Sequence, residues 1–208
     1  MTGGFRPVDR DGLAAHLGER ITAVPGRLRV LVDGAPPTGP LGLARAVTDL
    51  LRGAGRDALA VDADHFLRPA SVRLEFGRTD PDMFLDGWLD EPVLRREVLD
   101  PMAPGGSGRV LPRLRDVDRD RAFRDAPVPL GADGVVLLAG GRLLGRGLPA
   151  DLTVHLRMGR AALERRLDPA AAWTAQAYAR YEREGDPGGY ADVLVMADHP
   201  ERPALRDN

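Results

Sequence analysis

Residues 27–43 read Arg-Leu-Arg-Val-Leu-Val-Asp-Gly-Ala-Pro-Pro-Thr-Gly-Pro-Leu-Gly-Leu. The first seven form a short apolar run that stops at Gly34, which predicts a strand. Leu43, Val47, Leu50 and Leu51 then recur at helical spacing and end at Gly53 and Gly55, which predicts a helix with its stop signals. Between strand and helix stand two glycines five apart, Gly34 and Gly39. The unit is therefore strand, tight turn, helix.

The pattern repeats outward from there. Asp9 to Ala23 places Leu13, Leu17 and Ile21 on one helical face, and Ala58 to Asp64 reads as a second strand. Gly134 to Ala139 is an unbroken apolar run suited to a strand buried on both faces. Leu152 to Leu156 and Ala191 to Met196 supply two more strands, with helical segments over Gly159–Leu167 and Ala171–Glu184 between them. Alternating strands and helices predict an α/β domain with a mainly parallel, five-stranded sheet and helices on both faces, its ligand site at the carboxyl ends of the strands. His65 to about Arg109 is turn-rich, with a helix expected over Glu91–Leu99. Arg109–Val128 carries dense alternating charge that fits either a solvated hairpin or a mobile flap.

Composition narrows the function classes. The 208 residues carry 29 basic against 31 acidic side chains, a net charge of -2, which gives no support to nucleic-acid or membrane-surface binding. No apolar run reaches a membrane span or a signal peptide, so a soluble, cytoplasmic, single-domain protein is expected. Cysteine is absent, which removes disulfides, thiolate metal sites and cysteine nucleophiles. Every basic residue is arginine. A GC-rich codon bias explains arginine in place of lysine, and it also means that no lysine takes part in any chemistry here. His16, His65, His155 and His199 are scattered without metal-ligand spacing, and His155 inside a strand reads as a core or edge residue. Ser71 and Ser107 lie in no nucleophile elbow. Trp88 and Trp173 read as core or pocket walls. No metal site is expected.

Two glycines five apart at a strand-to-helix turn are the frame of a phosphate-binding P-loop. In its working form, GxxxxGK[ST], backbone amides cradle phosphate oxygens, the lysine reaches the terminal phosphates and the hydroxyl holds magnesium. Here Pro40 takes the lysine position and Leu41 the hydroxyl position. Proline also lacks the N–H that the cradle needs.

The order of further segments resembles the uridine kinase-like branch of the P-loop nucleoside kinases, which includes phosphoribulokinase and pantothenate kinase relatives. The similarity runs from about Arg27 to Pro203. It rests on Val32-Asp33-Gly34 before the loop, Asp64-His65-Phe66-Leu67-Arg68-Pro69 after the second strand, and Pro81-Asp82-Met83-Phe84. Leu99 to Gly106 resembles the family's LDPxxPGG, and Tyr181, Gly185-Asp186-Pro187, Ala191-Asp192-Val193 and Asp198-His199-Pro200 follow in family order. The resemblance implies a P-loop NTPase-type three-layer sandwich, with a substrate-side insertion or flap over about 65–130 and lid-like helices over about 159–190. It also implies roles. Asp64 matches the residue that accepts the acceptor hydroxyl's proton; Phe66, Arg68, Arg73 and Phe84 fall on the acceptor side. Gly34, Thr38, Gly39 and Arg45 fall on the donor side, with Arg165 and Arg166 in the lid, where arginines close over phosphates.

The departures concern one ligand, magnesium nucleotide. Besides Pro40 and Leu41, the family's acidic residue after the buried strand aligns with Gly140. A single transition-state cation is worth ~10³–10⁵ in phosphoryl-transfer rate, so losing these supports together predicts little activity by the usual route. Arg45 or Arg142 in place of the lysine, with Asp33 or Asp62 holding a metal, is the way back to activity. Two readings follow: a catalytically impaired pseudokinase that binds a small molecule or a partner, and an ATP- and magnesium-dependent kinase for a nucleoside-like acceptor with an atypical donor site. A different enzyme on the same scaffold is a third.

Overall fold

Strand β2 (Leu28–Gly34) lies in the middle of the sheet, and its alternation of side chains divides the core in two. The computed structural model describes residues 4–199 and 201–208. Pro200, in the Asp198-His199-Pro200 turn named above, lies outside the described residues. Val30 and Val32 face one layer, in which helices α1 (Arg10–Thr22) and α2 (Pro40–Gly53) bury Leu13, Leu17, Ile21, Ala44, Val47 and Leu51. Leu31 faces the other layer, formed by residues 63–67, 89–102 and 110.

Strand β3 (Ala58–Asp62), β4 (Val135–Gly140), β5 (Leu152–Arg157) and β6 (Val193–Met196) run parallel to β2. Every residue of β4 is buried, because it lies between β2 and β3 with a layer on each face; its unbroken apolar sequence follows from that position. The sheet is wider than the five strands expected. Two short strands, β1 (Arg6–Pro7) and β7 (Ala204–Asp207), extend it, β7 antiparallel to β6 and β1 antiparallel to β7, giving the order β1–β7–β6–β5–β2–β4–β3. Their four or fewer residues carry no alternation long enough to read. Salt bridges from Arg20 of α1 to Asp207 at 2.6 Å and from Arg29 to Asp151 at 2.8 Å tie this edge and the strand ends together.

The expected boundaries of α1 hold, with the Asp9 carboxylate accepting from the Gly12 N–H at 2.7 Å as its N-cap. The segment expected as a helix over Glu91–Leu99 is one turn of α-helix followed by a π turn. Residues 109–129 form two short antiparallel pairs, 109–110 with 128–129 and 115–116 with 121–122, which is the hairpin alternative. Helix α3 (Arg160–Arg166) and helix α4 (Thr174–Arg180), continued by a π turn through Gly185, stand at the carboxyl end of β5.

Register fixes what meets at the strand ends. Asp33 pairs laterally with Gly140 on one side and His155 on the other, and Gly34 lies beside Leu156. Because Leu137 is enclosed between β2, β3 and the helical layer, Leu137→Ala is expected to cost about 2–5 kcal/mol, read as a lower urea midpoint at unchanged slope.

Candidate functional site at the strand ends

The turn after β2 is a 3-10 turn over Pro36–Thr38, closed by Gly39 at φ 76°, a left-handed conformation that glycine adopts without strain. Its polar groups are turned inward on itself. The Thr38 N–H donates to the Ala35 carbonyl at 2.8 Å, the Gly39 N–H to the Pro36 carbonyl at 3.0 Å, and the Thr38 hydroxyl to the Ala35 carbonyl at 2.7 Å. Pro36, Pro37 and Pro40 have no N–H. From residue 36 to residue 40, therefore, no backbone donor is left to cradle a phosphate. Gly34 is required by crowding: a Cβ there would lie 2.9 Å from that of Leu156.

Beneath the loop lies a closed polar network. The Asp33 carboxylate is fully buried; it accepts from the Leu143 N–H at 2.8 Å, from the Tyr181 hydroxyl at 3.1 Å and from His155 Nδ1 at 2.8 Å. His155 Nε2 meets Glu182 at 2.8 Å, and the imidazole is 1% exposed. Burial opposes its charge, but hydrogen bonds to Asp33 and Glu182 and their negative charges outweigh that and push its pKa up to about 9. His155 is thus an imidazolium with a carboxylate on each nitrogen. Its reading as a core histidine is correct; its partners, one in a neighbouring strand and one 27 residues away in the π turn after α4, were not legible. Asp33, considered for a metal, is fully engaged. Asp62 accepts from the Asp64 N–H at 3.0 Å.

Above the loop, the 159–185 segment packs down as an apolar cap. Ala35 of the loop joins Phe84, Leu85, Met158, Leu163 and Tyr178 in one cluster. Tyr178 is pressed so closely on the turn after β4 that a Cβ on Gly141 would lie 2.5 Å from its hydroxyl, and burial holds that hydroxyl protonated well above its ordinary range. Phe84 is the centre of an edge-to-face group, 5.1 Å from Trp88, 5.1 Å from Trp173 and 5.5 Å from Tyr178 between ring centres. Gly140 has no room either, since a Cβ there would stand 2.7 Å from that of Ala63.

Asp64 follows β3 in a 3-10 turn and is exposed to solvent. Desolvation first, and Asp62 second, raise its pKa; Arg142, His65 and Arg73 oppose them. Arg73 is buried, donates to the Arg68 carbonyl at 2.7 Å and lies over the Trp88 ring at 5.1 Å; desolvation lowers its pKa. Arg142 is buried in a left-handed conformation, φ 64°, with its guanidinium 3.8 Å from the centre of the Phe84 ring and a hydrogen bond to the Phe84 carbonyl.

The residues expected to form one site are therefore distributed over three settings. Asp64, Arg73 and Arg68 lie together after β3, and Arg142, considered above in place of the missing lysine, acts on Asp64 from the turn after β4. Phe66, at 0% exposure, lies in the same core cluster as Leu67, Leu89 and Leu94. Phe84 is buried within the cap. Gly34, Thr38 and Gly39 form the closed turn, and Arg45, Arg165 and Arg166 are exposed on their helices. The Arg166 guanidinium donates to the Ala162 carbonyl at 3.4 Å and is not directed at the loop. Among the described residues no three metal-ligating side chains cluster. The residues present do not fit a magnesium nucleotide held in the usual way, because residues 36–40 offer no free N–H, the Thr38 hydroxyl is already bonded, and Pro40, Leu41 and Gly140 supply neither cation nor metal ligand.

Comparison with solved structures follows the same lines. A possible uridine kinase from Bacillus stearothermophilus superposes with a TM-score of 0.68 at 19% identity, over 88% of this chain and 96% of that one. A protein proposed as a fructose transport system kinase from Silicibacter sp. TM1040 superposes with a TM-score of 0.60 at 26% identity, over 78% of this chain and 87% of that one. The fold is that of the P-loop kinases. No protein-family model matches the sequence, and a search of curated proteins finds no match. No helix among the described residues is long and apolar enough to cross a membrane.

The His155 network sets a pH dependence. The folded pKa, about 9, lies above the ordinary 6.5, so its contribution is complete below pH 6.5 and is lost as pH rises through 9. Stability to urea is expected to fall between pH 7 and 9.5 by on the order of 3 kcal/mol, and His155→Gln is expected to flatten that slope.

Proposed function

We propose that this chain is a catalytically impaired member of the P-loop kinase fold, a pseudokinase whose donor side is closed and whose acceptor side still binds a small molecule. The observation that carries the reading is the proline-rich turn of residues 36–40, which presents no N–H to a phosphate. The buried cap supports it, since Tyr178 and Phe84 lie over the turn after β4. Phosphoryl transfer relies on donors and cations aimed at the transferring group, and here those groups are missing or turned inward.

What this chain's own residues do on the acceptor side follows from their placement. Asp64 presents a carboxyl group whose raised pKa favours sharing a proton with a bound hydroxyl. Arg73 and Arg142 supply positive charge beside it. Packing of the α3–α4 cap keeps water from the turn after β4, and the Asp33–His155–Glu182 chain holds the cap to the sheet.

Asp64 with its neighbouring arginines also favours a second reading, a phosphotransferase for a nucleoside-like acceptor that takes its ATP and magnesium in an atypical way. Calorimetric titration separates the two. The expected result is no saturable binding of ATP or GTP at millimolar concentration, with or without magnesium, and no transfer of phosphate to uridine. Magnesium-dependent ATP binding together with uridine phosphorylation that Asp64→Asn abolishes would overturn the pseudokinase reading. Placing lysine and threonine by Pro40→Lys with Leu41→Thr is expected to leave ATP affinity below detection, because the amides of Thr38 and Gly39 stay engaged.

A further inference from the structure

Arg73 and Arg142 are 5% and 4% exposed, yet among the described residues neither forms a salt bridge with a carboxylate. Arg146 and Arg29 pair with carboxylates, Glu91 at 2.6 Å and Asp151 at 2.8 Å, while the half-buried Arg27 and Arg56 each saturate two or three backbone carbonyls. Arg73 holds the Arg68 carbonyl, Arg142 the Phe84 carbonyl and the Tyr178 hydroxyl, and the two rest on the aromatic rings of Trp88 and Phe84. Those two rings are edge-to-face neighbours at 5.1 Å, so the guanidinium groups occupy one continuous aromatic platform. Both act electrostatically on Asp64.

Buried guanidinium without a directly paired carboxylate is costly, and ring faces, carbonyls and the nearby charges of Asp64 and Asp120 offset only part of that cost. The same region also holds polar nitrogens with no hydrogen-bond partner: Arg142 Nε, Arg115 Nε, Trp88 Nε1 and His65 Nδ1. Arg115 lies close enough to shift Arg73, and its Nη1 reaches the Asp120 carbonyl at 3.3 Å. The acids that face this region are Asp62, Asp64 and Asp120. Asp120 accepts from the Ala70 N–H at 3.0 Å and lies 3.6 Å from Arg115 Nη1, and Asp62 accepts from the Asp64 N–H at 3.0 Å, whereas the exposed Asp64 carboxylate makes no hydrogen bond or salt bridge among the described residues.

We infer that this face binds a small hydroxylated anion, a carboxylate or a phosphate monoester, with its negative group on Arg73 and Arg142 and a hydroxyl on Asp64. The inference rests on the reading that the acceptor side is retained, and it names the ligand class of that side. Planar guanidinium forks match carboxylate and phosphate oxygens, which gives the site a reason to prefer an anion over a neutral polyol.

Calorimetry of the full chain at constant ionic strength, with glycerol 3-phosphate, glycerate, inorganic phosphate and uncharged glycerol as probes, tests it. Saturable binding of either hydroxylated anion with none of glycerol is expected; which one binds assigns phosphate or carboxylate. Arg73→Gln is expected to weaken binding at least tenfold and Arg73→Lys only a few-fold. Asp64→Asn is expected to leave inorganic phosphate bound as well or better. Thermal melts confirm that each variant is folded, and Arg142→Gln serves as the second site if Arg73→Gln unfolds. Silence toward all anions, glycerol binding as well as they do, or unchanged affinity in a folded Arg73→Gln protein would overturn the proposal. ATP-dependent phosphate transfer would overturn the pseudokinase reading and leave the anion site standing.

Discussion

One buried imidazolium organises the carboxyl end of the sheet. His155 extends from β5 between Asp33 at the end of β2 and Glu182 in the π turn after α4, so a single charged ring joins two strands and the cap. A buried ion network of this kind gains little if any partner is missing, because each remaining charge is then left in a poor solvent. Asp33 also receives the Leu143 N–H and the Tyr181 hydroxyl, which fixes the turn after β4 against the same point. The position of Arg142, and through it the face around Asp64, depends on that turn.

The loop follows a second constraint, set by proline. Three prolines among residues 36–40 remove donors, and the 3-10 turn they favour draws the remaining two N–H groups back to carbonyls of the same turn. The turn keeps the glycine spacing of a phosphate loop while its surface is acceptor-rich. The distinction matters because glycine spacing describes the path of the chain, whereas phosphate binding depends on where the N–H bonds point.

Strand and helix order was legible because each of the five parallel strands carries apolar runs that only a two-sided core explains, and because α1 and α2 repeat at helical spacing. Strands β1 and β7 were not, being too short to show a period. The loop's departures were visible at Pro40, Leu41 and Gly140. The engagement of Thr38 and Gly39 was not, since it depends on backbone direction. The burial of Phe66 was not legible, because an aromatic beside an aspartate reads alike whether it faces a cleft or the core. The His155 network escaped because it joins residues 122 and 27 positions apart that only strand register brings together.

The close approach at Gly140 bears on how such a protein changes over generations. Any side chain at 140 meets the Cβ of Ala63, which belongs to the turn that presents Asp64. An acid at 140 therefore fits only if residue 63 gives way first, and glycine at 63 would loosen the very turn that aims Asp64. A carboxylate at that strand end therefore requires two coordinated substitutions and not one.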